Sequence, residues 1–129
     1  MTGLLLDTHI LLWAALGSKR LSGLARSLIE TEAGDLCFSV VSIWEIAIKR
    51  ALGRANFLTE PGAFRRNLLE NGYREIAVAG AHALAIVGLP KHHRDPFDRM
   101  LVAQASVERL ALLTADDEVA RYPGDIRLV

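Results

Sequence analysis

The 129-residue sequence predicts an α/β domain, a three-layer α/β/α sandwich around a central, mainly parallel sheet of four to five strands. Three observations predict it. The runs Leu4–Leu6 and Leu110–Thr114 are short, apolar and bounded by polar or turn residues, as in strands buried on both faces. Strand-like and helix-like segments alternate along the chain, which favours a parallel sheet with helices on both sides. A hydrophobic content of 51% over this length suits one sizeable core and not two, so residues 1–129 are expected to form a single domain.

The first strand, Leu4–Leu6, ends on Asp7, and an almost wholly apolar helix from His9 to Leu16 follows at once. Asp7 therefore falls at the carboxyl end of a strand, the edge where open α/β sheets gather ligands. As an isolated residue it is equally an N-cap, its side chain accepting an orphan backbone N–H. The stretch 17–22 is a loop, and Ser22 can cap a second helix carrying Leu24, Ala25, Leu28 and Ile29, ended by Gly34 and Asp35. Leu36–Ser39 is a short β-rich run. From about Val41 an apolar helix continues to Leu52 and Gly53, the glycine acting as a stop signal.

Counting by three and four places Glu45 on one helical face with Val41, Ile48 and Leu52, so this carboxylate sits in an apolar stripe. Such a charge needs a cation, a metal or a polar partner. A structural bridge to Lys49 or Arg50 is one solution. A site role is preferred, because Lys49 at i+4 pairs more easily in solvent.

A fourth helix is expected from Pro61 to Glu70, closed by Asn71 and Gly72; its Arg65 and Arg66 are a solvated face or an aid to docking nucleic acid. Tyr73–Val78 has strand-like alternation and Ala81–Val87 reads as a short helix. The basic loop that follows contains His92 and His93, whose adjacency points them in different directions and argues against zinc. Asp95 before Pro96 is a helix start with the acid as N-cap and proline at the first helical position. Asp98 falls in the first turn, favoured there by the helix dipole, yet Leu101, Val102 and Ala105 place it above the buried face. After Leu110–Thr114, Asp116 opens a last short helix, as a cap or as a second strand-end acid like Asp7, with Glu118 in the same turn; Ile126–Val129 is a candidate edge strand.

Composition narrows the function classes. Fifteen Lys and Arg balance fifteen Asp and Glu, so no global field holds the protein on nucleic acid or an anionic membrane, and a polyanion must be met by a local patch or a metal. Cys37 is the only cysteine; it excludes an internal disulfide framework and fits a core position in a reducing cytoplasm. No basic region precedes the first apolar residues and Asp7 interrupts them, so neither a signal peptide nor a membrane span is expected.

Right-handed crossovers would bring the strand ends bearing Asp7 and Asp116 to one edge, over which Asp98 and Glu45 can lean. Four converging carboxylates repel one another without a cation. Hard oxygen donors without Cys or paired His select Mg²⁺ or Mn²⁺ over zinc. A metal so held suits hydrolysis of a phosphodiester by water. No Gly-rich phosphate loop is present.

The runs Leu4–Trp13, Val41–Lys49, His93–Ala105 and Leu113–Asp116 together resemble the PIN-domain ribonucleases, specifically VapC-type toxins, over nearly the whole chain. The resemblance implies a PIN-like fold and an Mg²⁺ or Mn²⁺ site formed by Asp7, Glu45, Asp98 and Asp116 that cleaves RNA. Asp7 and Asp98 would make the most direct metal contacts, with Glu45 and Asp116 completing the shell or holding water. Asp95 is an extra acid that either joins the shell or only caps. Arg99 and Thr114 are candidates for substrate binding. A homodimer is also implied, together with a VapB-like antitoxin whose C-terminal tail covers the site. Two rivals remain. A phosphatase with a phospho-aspartate intermediate also begins from a strand-end Asp, but its usual second Asp two residues on is here His9. A non-catalytic module would use the apolar stretch Val40–Leu52 with Phe57 and Leu58 to bind a partner. Specificity for RNA would draw on basic residues such as Arg54, Arg65, Arg66, Lys91 and Arg94, which form no readable code.

Overall fold

The computed structural model describes residues 3–31, 33–91 and 95–129. The readings on His92, His93 and Arg94 lie outside the described residues. In chain order the elements are β1 (Leu4–Leu6), α1 (Thr8–Ala15), α2 (Gly23–Thr31), β2 (Leu36–Ser39), α3 (Val40–Ala51), α4 (Pro61–Glu70), β3 (Arg74–Ile76), α5 (Gly80–Ala85), α6 (Pro96–Glu108), β4 (Ala111–Thr114), α7 (Asp117–Ala120) and β5 (Ile126–Leu128). Short 3₁₀ turns occupy Ala33–Asp35 and Ile86–Gly88.

The strands of the described residues form one sheet in the order β3-β2-β1-β4-β5, and each neighbouring pair is parallel. β1 is central, with Leu4 against Leu36 on one side and Ala111 on the other. Its alternating side chains explain the third layer. Leu4 and Leu6 enter a core with Ile10, Leu11, Ala25, Phe38, Ile46 and Phe64, whereas Leu5 enters a second core with Cys37, Leu101, Val102 and Val119. One core therefore packs under α1–α4 and the other under α6 and α7. All three leucines are fully buried, which is why the strand carries no polar residue.

Local chemistry sets the helix starts. Ser39 accepts from the Val41 amide to cap α3, and Asp95 accepts from the Phe97 and Asp98 amides to cap α6, with Pro96 in the first turn. α6 ends at Arg109, which adopts the left-handed conformation at φ 57°. The second helix stops at Thr31, before the Gly34–Asp35 signal, because the chain tightens into a 3₁₀ turn there. β3 pairs over three residues only, less than the alternation from Tyr73 to Val78. In α3 the buried positions are Val41, Ser42, Glu45 and Ile46, while Leu52 is 65% exposed, because the helix ends at Ala51 and Leu52 is its C-cap, past the stripe that Val41 and Glu45 occupy.

The chain passes from β1 outward to β2 and β3, then returns across the sheet to β4 on the other side of β1. The carboxyl ends of β1 and β4 thus flank the point where strand order reverses, and a crevice opens there.

Candidate active site

Asp7 leaves β1 into this crevice, and its two oxygens do different work. Oδ1 accepts from the Ile10 amide at 2.9 Å, capping α1, and Oδ2 accepts from the Thr114 hydroxyl at 2.6 Å across the β1–β4 seam. The same Thr114 hydroxyl accepts from the Asp116 amide at 3.0 Å. Thr114 is fully buried, so this hydroxyl ties the two strand-end acids together out of water. Asp116 itself is exposed and caps α7 by accepting from the Glu118 amide at 2.9 Å. Capping is therefore real for Asp7, Asp95 and Asp116, as the simpler reading of each held.

Glu45 approaches from α3 and is 3% exposed. Its Oε1 accepts from the Thr8 hydroxyl at 2.6 Å, and Ser42 Oγ lies 2.9 Å from that same hydroxyl. Its Oε2 pairs with Lys49 Nζ at 2.5 Å. The structural bridge that the sequence reading set second is thus present. Lys49 turns inward because its ammonium lies over the Phe57 ring at 4.9 Å and the Phe97 ring at 5.7 Å, where aromatic faces compensate the lost water. Thr8 and Ser42 were missed from sequence; the signals were a hydroxyl directly after Asp7 and another one helical turn before Glu45.

Asp98 lies in the first turn of α6, half-buried. Burial and then the negative charges of Asp95, Asp7, Glu45 and Asp116 push its carboxyl up to about 8. Acids from β1, α3 and the end of β4 therefore all lie near enough to act on the charge of Asp98. Asp7 is also raised, chiefly by burial, against the opposing bonds from Thr114 and the Ile10 amide. Arg99, on the same turn, donates to the carbonyls of Pro90 and Ile86 and to the Tyr122 hydroxyl, fastening the loop before α6 to the body of the fold.

The donors at this edge are hard oxygens, and their crowding leaves negative charge that a divalent cation would neutralise, so the residue types fit Mg²⁺ or Mn²⁺. Their present positions do not form a closed cage. Among the described residues no group of three or more His, Cys, Asp or Glu side chains is arranged to hold a metal ion. Asp7, Glu45 and Asp116 instead satisfy the protein donors named above. Outside the crevice, Cys37 is fully exposure-free in the core, and burial pushes its thiol up to about 12, which leaves it inert. Arg65 pairs with Glu75 on the surface at 2.6 Å.

Beside Asp7 and Asp116 the crevice widens into an open cleft of about 720 Å³, whose other wall carries His9, Trp13 and Arg20. Elsewhere, no helix among the described residues is long and apolar enough to cross a membrane.

Comparison with known proteins gives a consistent picture. The model of the PIN domain family matches residues 4–125. Ribonuclease VapC22 of Mycobacterium tuberculosis is 30% identical over 129 residues, with 98% of each chain covered. Among solved structures, VapBC2 from Rickettsia felis bound to a DNA fragment from its promoter superposes with a TM-score of 0.72 at 14% identity, covering 98% of both chains. DNA-bound VapBC from Salmonella typhimurium gives 0.68 at 17% identity, covering 100% of this chain and 98% of that one. A toxin–antitoxin complex from Klebsiella pneumoniae gives 0.68 at 18% identity, covering 97% and 96%. At these identities the structural matches speak to the fold.

Proposed function

Because this chain belongs to the PIN-domain family, with a VapC ribonuclease as a full-length relative, we propose that it is a metal-dependent endoribonuclease and the toxin of a VapBC-type pair. The observation that carries the reading is the seam where strand order reverses, at which one buried Thr114 hydroxyl bonds both Asp7 and the Asp116 amide while Asp7, Glu45 and Asp116 all lie near enough to act on the charge of Asp98. Burial, with the neighbouring carboxylates adding to it, pushes Asp98 up to about 8, a placement that costs stability unless a cation offsets it, which supports a binding purpose.

In this reading Asp7 and Asp98 hold Mg²⁺ or Mn²⁺ most directly, with Glu45 and Asp116 completing the shell and Asp95 remaining a cap. An ion so held would supply charge neutralisation at the scissile phosphate and would make a water acidic enough to act as nucleophile. The protein's own groups do the positioning. Thr114 fixes the Asp7 carboxylate and the Asp116 backbone in one register. Thr8 and Lys49 hold the Glu45 side chain in place at the edge of the site, from where it would receive the proton of the attacking water. A phosphorus–oxygen bond would form to that water as the bond to the ribose oxygen breaks, the departing oxygen taking a proton from solvent water to leave as a hydroxyl.

Two of the structural relatives are VapBC assemblies, and we extend to this chain a VapB-like antitoxin partner and a homodimeric toxin. Trp44, Leu52 and Leu58 are 59%, 65% and 71% exposed on and after α3, apolar surface that supports a partner-binding role beside the site. The protein is expected to work in the cytoplasm, where its RNA substrate lies.

Asp7→Asn tests the nuclease reading. Asn retains the capping oxygen for α1, so the fold survives. Mg²⁺- or Mn²⁺-dependent cleavage of RNA should fall about 100-fold or more. Full activity in this variant, or equal activity of the native chain in EDTA, overturns the assignment.

A further inference from the structure

The cleft beside the acids has two unlike walls. One is acidic, carrying Asp7, Asp116, Asp117 and Glu118, with the Arg121 guanidinium following at the end of α7. The other carries aromatic rings and the Arg20 guanidinium, which the hydrolytic chemistry does not use. The exposed His9 imidazole stands between Trp13, at 5.8 Å between ring centroids, and Phe57, at 5.6 Å. Arg20 lies over the Trp13 indole at 5.3 Å. Among the described residues neither Arg20 nor Arg121 makes an ion pair, although acids are abundant nearby. Asn56, with a donor and an acceptor on one amide, closes the rim.

Rings and guanidinium groups gathered along one groove are how proteins hold unpaired nucleotides, since every base has a face to stack and every linkage a phosphate to pair. The volume of about 720 Å³ suits one or two splayed nucleotides and not a helix of paired strands. Resting on the nuclease reading, we propose that this wall is a subsite for a single-stranded nucleotide flanking the cleaved bond. The base stacks against the His9–Trp13 pair, the neighbouring phosphate sits between Arg20 and Arg121, and Asn56 meets the base edge. The cleft thereby selects unpaired RNA, with the scissile phosphate toward Asp7 and the flanking nucleotide held away from the acids.

The chain has two tryptophans, so Trp44→Phe leaves Trp13 as the sole indole reporter. A short unstructured RNA oligonucleotide is titrated into this variant, in EDTA and separately in Ca²⁺, while Trp13 emission is read. Saturable quenching is expected, with a duplex of the same sequence binding roughly tenfold or more weakly. Arg20→Ala with Arg121→Ala should weaken binding and lower the dependence of log affinity on log salt by about 1 to 2. Because Trp13 also packs against the core, the stacking role is read from His9→Ala by anisotropy of a labelled oligonucleotide, with a loss of roughly 5- to 100-fold expected. Absence of quenching in both media, equal binding of duplex, or native affinity and salt slope in the variants overturns the proposal. The two readings fail separately. Unchanged KM for cleavage in the Arg20, Arg121 and His9 variants removes the subsite and leaves the nuclease, whereas quenching without any Asp7-sensitive cleavage removes the nuclease and leaves the subsite.

Discussion

Thr114→Val replaces a hydroxyl by a methyl of nearly the same shape at the seam between β1 and β4. Two hydrogen bonds go with it: the 2.6 Å donation to Asp7 Oδ2 and the 3.0 Å acceptance from the Asp116 amide. The first is a bond to a carboxylate at a site 5% exposed, worth about 1.5–3 kcal/mol. The second is partly replaceable by water, because Asp116 is exposed. We expect Thr114→Val to destabilise the fold by about 2–3 kcal/mol, a fall in Tm of roughly 6–12 °C. The electrostatic consequence is sharper. Thr114 is the largest influence opposing burial at Asp7, so its loss drives that already raised carboxyl further up. Protons then compete better with a cation, and the pH at which Mn²⁺ binds half-maximally should move upward, while Thr114→Ser, which keeps the hydroxyl, should leave it in place. Chemical denaturation gives the first quantity and calorimetric Mn²⁺ titration across pH 6–9 the second. A valine variant as stable as the native chain, with the same pH profile, would refute the positioning role.

Asp98→Asn should stabilise the metal-free chain in EDTA at pH 7 by about 1–3 kcal/mol, a figure discounted for the partial exposure of the group. The sign follows from a folded carboxyl at about 8 against an ordinary value of 3.8: the native chain loses stability as pH rises from about 4 to 8, and the asparagine variant does not. The advantage should therefore vanish by pH 4; a variant less stable than the native chain at pH 7 would contradict the crowding. Millimolar Mn²⁺ should raise the Tm of the native chain, by an amount equivalent to about 2.7 kcal/mol at one hundred times Kd, and much less in Asp7→Asn. An unmoved transition in the native chain would count against the site.

The sheet was legible because its strands are buried on both faces and leave uninterrupted apolar runs. Even the reversal of order about β1 follows once Leu110–Thr114 is taken as its neighbour. The start of α6 was equally plain, since Asp95 with Pro96 announces it by residue type, whereas the Ser39 cap of α3 was hidden in what reads as the end of a strand. The settings around the acids were not. Whether Lys49 faces solvent or Glu45 depends on Phe57 and Phe97, which reach it from a loop and from α6, and no local count contains them. Leu52 shows a related limit: the count by three and four does not fix where the helix ends, and Leu52 falls one residue past it. The His9–Trp13–Arg20 wall escaped notice because its members come from a helix and a loop that meet only in the folded chain.

The bond between Asp7 and Thr114 joins residues 107 positions apart. During synthesis the amino-terminal half emerges with Asp7 and Glu45 but has nothing to set beside β1 on its open flank. Only when β4 leaves the ribosome can the seam zip shut and the full set of acids assemble. A chain that has already folded its amino-terminal half therefore lacks the buried hydroxyl that ties Asp7 to the Asp116 backbone until its synthesis is almost finished, a delay written into strand order.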